Sequence, residues 1–219
     1  MESVVSVSVS GLTVGAFQEN CYLLMAPGGA ECAIIDPGAE PERIIAAVER
    51  SGADPAAIWL THAHLDHVGA ISGLRRRWEI PVYLHPLDEA LYAMASRQAA
   101  LYGVPFEQPA PADRALGDGD VLELAGLRMT VMHAPGHAPG HVVLHGHGVA
   151  LVGDCLFAGS IGRTDLPMSN PRDLAASLDR IVALPDDTVV YPGHGPVTSI
   201  GAEAATNPFL TGAARIVGA

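Results

Sequence analysis

The sequence predicts an α/β (α+β) fold, a four-layer αββα sandwich formed as a single domain by residues 1–219. Each half of the chain carries several short apolar segments of strand length and then an amphipathic helix. Two such units pack with their sheets together and their helices outside. Hydrophobic residues make up 49% of the chain, enough for a large core, and no linker, repeat or low-complexity tract divides it.

The first elements are strands. Serine and valine alternate within residues 3–10, which predicts a half-exposed strand. Residues 21–25 and 32–35 are largely apolar, and Pro27-Gly28-Gly29 between them predicts a turn. Asp36-Pro37-Gly38 then ends the third strand.

The first helix is predicted to begin with Pro41 at its first position and to end at Gly52. Ile44, Ile45 and Val48 supply its buried face. The rest of this half is predicted as a buried strand at 58–60, a helix at 68–78, a strand at 81–84, a helix at 87–99 and a long loop at 103–119.

The second half is predicted to contain strands near 120–124, 127–132, 142–146 and 149–152. A helix follows, with Asn170 as its N-cap, Pro171 at its first position and Asp173 in its first turn. Leu174, Leu178 and Ile181 line one face of that helix. Residues 188–191 form the last clear strand.

Charge and composition exclude several classes of protein. The formal net charge is −12, and all 12 basic residues are arginine. The one basic run, Arg75-Arg76-Arg77, suits a solvated helix C-terminus, so we expect no nucleic-acid partner. No apolar run is long enough to cross a bilayer, and the N-terminus lacks a basic signal region, so we expect no membrane partner. Cys21, Cys32 and Cys155 lack disulfide spacing, which favours a cytoplasmic protein.

The sharpest chemical signal is an HxHxDH cluster directly after the apolar residues 58–60. In an extended segment His62, His64 and Asp66 point the same way, and His67 follows where the chain turns into the next helix. Imidazole and carboxylate ligands suit Zn²⁺, Fe²⁺ or Mn²⁺. Four such residues after a buried strand predict a metal site rather than a run of surface histidines.

Three later segments repeat the pattern of a short apolar strand followed by a candidate ligand on a turn. They are the histidine-rich residues 133–141, then Gly153-Asp154, then the segment containing His194. In one sandwich these turns can meet at a single edge, where functional sites are common. Periodicity alone does not choose among the histidines of 133–141.

These motifs resemble, in this order and over nearly the whole chain, the metallo-β-lactamase superfamily, and within it the short bacterial form of the glyoxalase II-like hydrolases. The segments that carry the resemblance are residues 18–22, 36–38, 61–69, 134–137, 153–154, 156–165, 192–195 and 206–210. The antibiotic-degrading branch resembles the first motif but lacks a bridging carboxylate, so β-lactam hydrolysis is disfavoured.

The resemblance implies a full set of ligands for two divalent ions, with zinc expected and iron or manganese as alternatives. His62, His64 and His137 would hold the first ion. Asp66, His67 and His194 would hold the second, and Asp154 would bridge both. His133, His141, His145 and His147 are then strand or supporting residues, His85 has no assigned function, and Asp36 either supports the site or only forms a turn.

The resemblance also implies a reaction. A water activated by the two ions attacks the carbonyl carbon of a small-molecule thioester such as S-D-lactoylglutathione, giving D-lactate and the thiol. Asp66 would act as the catalytic residue that orients this water. Arg163 would contact an anionic substrate or form an ion pair with Asp165 or Asp154.

Three alternatives stay open. A persulfide dioxygenase with a single iron resembles this chain in His62, His137, Asp154 and the Gly-Arg-Thr-Asp segment. A lactone hydrolase would use the same metal centre on an ester. A binding module that keeps the fold without the chemistry is the third. Larger glyoxalase II enzymes bind glutathione carboxylates with a helical C-terminal extension, and we expect no counterpart of it in this chain.

Overall fold

The architecture was obtained as a computed structural model, which describes residues 7–216 and residue 218. The first half contains strands β1 (Ser8–Val14), β2 (Glu19–Met25), β3 (Glu31–Ile35), β4 (Asp54–Trp59), β5 (Val82–Leu84) and β6 (Arg114–Ala115), which lie side by side in that order. Strands β1 to β3 are antiparallel, and β3 to β6 are parallel. Parallel neighbours need crossover connections, and helices lie in all three of them.

The helices of this half are α1 (Pro41–Ser51), α2 (Leu65–Val68), α3 (Ile71–Arg77) and α4 (Glu89–Tyr102), the last preceded by a 3₁₀ turn at Pro86–Asp88. Helix α1 begins at Pro41 and ends at Gly52, whose φ of 74° suits glycine, as the sequence predicts. Ile44 and Val48 are buried and Ile45 is partly buried. The arginines of the basic run occupy the last turn of α3 and pair with Asp113, Glu107 and Glu49.

The second half forms another six-stranded sheet. Its strands are β7 (Val121–Leu124), β8 (Leu127–His133), β9 (Val142–Gly146), β10 (Val149–Gly153), β13 (Val189–Pro192) and β14 (Thr198–Ser199), and a separate ribbon pairs β11 (Leu156–Phe157) with β12 (Ser160–Ile161). Helices α5 (Pro171–Ile181) and α6 (Ile200–Thr206) complete this half. The Asn170 side chain accepts hydrogen bonds from the Arg172 and Asp173 N–H groups, the N-cap that the sequence predicts.

Three clusters of buried side chains define four layers. One cluster joins α1, α3 and α4 to the outer face of the first sheet, for example through Ile44 and Ile34. A second, which includes Trp59 and Met129, lies between the two sheets. The third packs Leu174 of α5 on the outer face of the second sheet. The predicted αββα sandwich is therefore confirmed.

The structure corrects several predicted element boundaries. Residues 3–6 of the first predicted strand lie outside the described residues, and β1 continues to Val14. The helix predicted at 68–78 is two helices, because α2 already begins at Leu65 and residues 69–70 separate it from α3. The loop predicted at 103–119 contains β6. Strand β14, helix α6 and the β11–β12 ribbon were not predicted.

All three cysteines are buried and free, as the wide spacing predicts. Burial raises the pKa of Cys32 to about 11 and raises the pKa of the Cys21 and Cys155 thiols well above the ordinary value. A thiol with so high a pKa is a poor nucleophile at neutral pH. Within residues 7–216 and 218, none of the helices has the length and apolar composition needed to span a bilayer.

Candidate metal centre

The HxHxDH segment changes backbone conformation halfway through. His64 is extended (φ −67°, ψ 152°) and immediately precedes α2, so Asp66 and His67 lie in the first turn of that helix. The His67 N–H donates to the His64 carbonyl at 3.0 Å. The sequence interpretation, which kept the segment extended through Asp66, is wrong on this point. The helical turn nevertheless sends Asp66 and His67 toward a second group of ligands.

Three histidines bring their ring nitrogens together in the first group. His62 Nε2 lies 3.1 Å from His64 Nδ1, which lies 2.9 Å from His137 Nε2. All three side chains are buried. Burial lowers the pKa of His64 to about 3 and that of His137 to about 4, and it lowers the pKa of His62 well below its ordinary value. The imidazoles are therefore neutral at pH 7, the form that binds metal ions.

The far nitrogen of His137 fixes which nitrogen faces the cluster. His137 Nδ1 lies 2.9 Å from the Arg163 carbonyl oxygen, which can only accept a hydrogen bond. The proton of the neutral ring therefore sits on Nδ1, and the Nε2 lone pair points at His64 Nδ1. Converging lone pairs repel each other unless a proton or a cation lies between them. This part of the site has the donor chemistry of a metal site.

The second group combines Asp66, His67 and His194, whose ligand atoms lie within 4.8 Å of one another. His194 Nε2 is 3.4 Å from Asp66 Oδ2. Burial alone would raise the pKa of the Asp66 carboxyl group. The neighbouring His194 and other nearby histidines outweigh burial and hold the Asp66 pKa well below its usual range. Burial likewise lowers the pKa of His67, but Asp154 and Asp36 outweigh it and raise the pKa well above its ordinary value. The surroundings of His67 thus favour a positive charge.

Asp154 lies between the two groups. Its Oδ1 is 3.5 Å from His67 Nε2, and its Oδ2 is 3.5 Å from both His137 Nε2 and His194 Nε2. These distances are too long for good hydrogen bonds. Asp154 Oδ1 and His67 Nε2 are buried without a partner among the described residues. Unpartnered buried polar atoms facing one another are unfavourable unless something binds them, so the residues present fit divalent cations.

A layer of buried side chains supports these ligands from behind. Asp36 accepts hydrogen bonds from the Thr61 N–H (2.7 Å) and the Thr61 hydroxyl (2.5 Å), and its Oδ2 lies 3.1 Å from His67 Nδ1. His141 stacks on His62 with ring centroids 4.9 Å apart. The Asp154 N–H donates to His141 Nε2 at 3.0 Å. Asp36 and His141 therefore contact the ligands directly, which goes beyond a turn or strand role.

Two buried acids near the ligands were missed by the sequence reasoning. Asp88 accepts hydrogen bonds from the N–H groups of Ala63 and Gly140, so it ties the loop carrying His62 and His64 to the loop carrying His137. Glu19, at the start of β2, lies 3.9 Å from His67 Nδ1, and both of its carboxylate oxygens lack a hydrogen-bond partner among the described residues. Burial raises the Glu19 pKa well above its ordinary value.

Asp154 and His194 follow β10 and β13, whose ends meet the first sheet. The Asn20 N–H donates to the Gly193 carbonyl at 2.7 Å, and the Tyr22 hydroxyl donates to the Pro192 carbonyl at 2.7 Å. Gly193 packs so closely on Asp154 that an added Cβ would overlap Asp154 Oδ1. Backbone contact at this point, which only glycine permits, brings the edges of the two sheets together around the ligands.

The centre opens into a cavity of about 450 Å³. Phe17, Leu101, Tyr102, Phe157 and Leu166 contribute apolar walls. Arg163 also lines the cavity, and its side chain is paired with Asp165 through two hydrogen bonds of 2.7 and 2.8 Å. Of the roles considered for Arg163, the structure shows the ion pair with Asp165. Outside the lining of this cavity, Tyr191 packs edge-to-face on Tyr22, with ring centroids 5.4 Å apart.

The remaining histidines lie outside the ligand cluster. His133 stacks on His85 with ring centroids 4.2 Å apart. His145 lies in β9, and His147 is exposed on the following turn, where its Nε2 accepts from the Arg128 N–H at 3.3 Å. The seven ligand positions implied by the resemblance are brought together, and these four histidines are not.

Comparison with known proteins agrees with this geometry. A sequence model of the metallo-beta-lactamase superfamily matches residues 14–194. The probable metallo-hydrolase YqgX of Bacillus subtilis is 40% identical, over 92% of this chain and 96% of that protein. The hydroxyacylglutathione hydrolase GloC of Haemophilus influenzae is 37% identical, over 93% of this chain and 98% of that protein.

Solved structures give the same result. TTHA1623, crystallised in a di-iron-bound form, superposes with a TM-score of 0.85 at 46% identity, over 92% of this chain and all of that chain. BLEG-1, described as a B3 metallo-beta-lactamase, superposes with a TM-score of 0.87 at 39% identity, over 93% of this chain and all of that chain. The histidine and aspartate cluster together with a di-iron relative supports a dinuclear metal centre.

Proposed function

Because this chain belongs to the metallo-beta-lactamase superfamily, we propose that it is a metal-dependent hydrolase that cleaves a small-molecule thioester such as S-D-lactoylglutathione. The observation that carries the proposal is the convergence, from both halves of the chain, of seven side chains with unpartnered buried atoms among them. The GloC relative supports a glyoxalase II-like thioesterase among the reactions of the superfamily. The proposed ligands are His62, His64, Asp66, His67, His137, Asp154 and His194.

We assign the first ion to His62, His64 and His137 and the second to Asp66, His67 and His194, with Asp154 between them. Zinc is the ion we propose first, since imidazole and carboxylate ligands suit it. The same ligands accept iron and manganese, and the di-iron form of TTHA1623 supports iron as the leading alternative. Metal analysis of the purified protein and the activity of protein loaded with each metal decide between zinc, iron and manganese.

The chain's own residues have defined tasks in this reaction. These seven residues would hold two divalent ions, which would supply Lewis acidity and lower the pKa of a bound water toward 7. Asp66 lines the cavity and stays ionised, so its carboxylate accepts a hydrogen bond from the attacking water and orients it. The bond from the water oxygen to the acyl carbon forms, the carbon–sulfur bond breaks, and the thiolate takes up a proton. The apolar cavity walls limit access of other water molecules.

The experiment combines metal analysis of the purified protein with hydrolysis of S-D-lactoylglutathione. We expect close to two ions per chain and release of thiol without oxygen uptake. His137→Ala is expected to lose both metal and hydrolysis, whereas His145→Ala, outside the cluster, keeps them. Retention of both by His137→Ala, or an inactive wild type with a full metal load, contradicts the proposal.

Three other substrates test the alternatives in the same assay. Oxygen uptake with glutathione persulfide and no thioester cleavage would identify a persulfide dioxygenase. Faster turnover of a lactone than of a thioester would identify a lactonase. A cephalosporin is included because BLEG-1 is described as a β-lactamase; we expect its turnover to fall far below that of the thioester.

A further inference from the structure

A second cavity adjoins the metal centre and has no role in the reaction described above. It has a volume of about 580 Å³, within the usual range for small-ligand sites. The turn between β1 and β2, the segment after β3 and the start of the long loop after α4 surround it. Its apolar lining includes Val14, Ala16, Ala39, Val104 and Phe106.

The two cavities adjoin each other at Asp66. Phe17, Leu65 and Asp66 line both of them. Phe17 lies on the turn between β1 and β2, and its ring packs edge-to-face on Tyr102 with centroids 5.4 Å apart. Asp66 therefore faces both cavities, which places the second cavity directly beside the proposed reaction site.

The charges around the second cavity do not suit an anion. Its charged lining residues are Glu40, Glu107 and Asp66, all acidic, and neither lysine nor arginine is among its described lining residues. Glu40 already accepts from the Gly15 N–H, and Glu107 pairs with Arg76. In the metal-centre cavity, Arg163 is engaged by Asp165. Neither cavity therefore presents an unpaired arginine, among the described residues, to the carboxylates of a glutathionyl group.

We propose that this second cavity binds the acyl chain of the substrate, so that the preferred substrates are thioesters of apolar acyl groups. The inference rests on the proposed thioester hydrolysis and names its substrate class. Apolar chains are favoured in such a cavity because the chain leaves water on binding. Each buried methylene is expected to raise kcat/KM by up to about fourfold.

The first test is a series of N-acetylcysteamine thioesters with acetyl, butanoyl and hexanoyl groups, compared with S-D-lactoylglutathione. We expect kcat/KM to rise at least tenfold from acetyl to hexanoyl. Ala39→Trp and Val104→Trp each fill the cavity and should abolish most of this preference. Ala205→Trp, on the exposed side of α6, is the matched control and should keep it.

A binding measurement separates this inference from the proposed function. Non-hydrolysable analogues in which CH₂ replaces sulfur are titrated by calorimetry into metal-loaded and metal-free protein. We expect affinity to increase with acyl length in the wild type and in Ala205→Trp, and not in Ala39→Trp. If binding depends on acyl length but no thioester is hydrolysed, the proposed hydrolysis is refuted and acyl binding in the second cavity is not. Hydrolysis of every thioester with no dependence on acyl length, or an unchanged preference in both cavity variants, would overturn the inference.

Discussion

Asp36→Asn tests whether the second ion depends on a neighbour of its ligand. Asp36 Oδ1 accepts from the Thr61 N–H, and Oδ2 faces both the Thr61 hydroxyl and His67 Nδ1. To offer the Nε2 lone pair to a cation, the neutral ring of His67 must carry its proton on Nδ1 and donate it to Asp36. An asparagine NH₂ group at the Oδ2 position cannot accept that proton. The change is nearly isosteric, and Asn tolerates the Asp36 φ of 48°.

These contacts set the size of the expected losses in metal affinity and in stability. Loss of a carboxylate behind a ligating histidine typically lowers metal affinity about 10- to 100-fold, which equals about 1.4–2.8 kcal/mol. If the amide turns around, its NH₂ group faces the Thr61 N–H instead, and a buried donor is left unsatisfied at a cost of about 1–3 kcal/mol. For a chain of this size that loss lowers Tm by roughly 2–12 °C.

The assay is a metal titration in competition with a chelator of known affinity. We expect the weaker binding to be confined to the second ion, while the first ion, which we assign to three histidines, keeps its affinity within about threefold. Asp179→Asn, an exposed change on α5, is the control. Equal affinity of Asp36→Asn and wild type for both ions, or a loss confined to the first ion, would refute the role assigned to Asp36.

Two further predictions concern Gly193 and Asp88. Gly193→Ala places a methyl group against Asp154 Oδ1. The rate of hydrolysis should fall at least about 100-fold, as expected when reacting groups are displaced by an ångström. Gly117→Ala is the control, because its added Cβ meets its nearest neighbour at 3.4 Å and should not change the rate. Burial raises the pKa of Asp88 to about 6, above the roughly 3.9 of an unfolded aspartate. The native state therefore binds the Asp88 proton more tightly, and the stabilising effect of protonation is lost between about pH 4 and pH 6 as the pH rises. The free energy of unfolding of wild type relative to Asp88→Asn should fall by up to about 3 kcal/mol over that interval in chemical denaturation, and a constant difference would contradict it.

Local sequence signals predicted the helices whose ends are set by residues within the helix or next to it. Pro41 and Gly52 bound α1, and Asn170 caps α5, through interactions made within one turn of helix. Strand β14 and the β11–β12 ribbon have only two residues per strand, so they depend on partners that the sequence does not reveal. The break between α2 and α3 has the same origin, because Gly69 lies against the Gly38 backbone from another part of the chain.

The metal centre was likewise predicted only in part from local sequence signals. Spacing alone identified the HxHxDH cluster, but it did not choose among His133, which ends β8, and His137 and His141, which follow it. The structure separates them by long-range contacts. His133 stacks on His85, His141 turns its Nε2 to the Asp154 backbone, and only His137 reaches the ligand cluster. Asp88 gave no sequence signal, because its two partners lie 25 and 52 positions away.

The ligand order along the chain also bears on how the protein acquires its ions. His62 to His67 leave the ribosome before the other ligands, and His194 follows more than half a chain length later, after roughly 7–26 s at 5–20 residues per second. During that interval the nascent protein exposes an incomplete chelator, which by intrinsic affinity favours copper over zinc, iron or manganese. The joining of the sheet edges at Gly193 is therefore what completes the proposed ligand set, because it brings Asp154 and His194 beside His62 to His67.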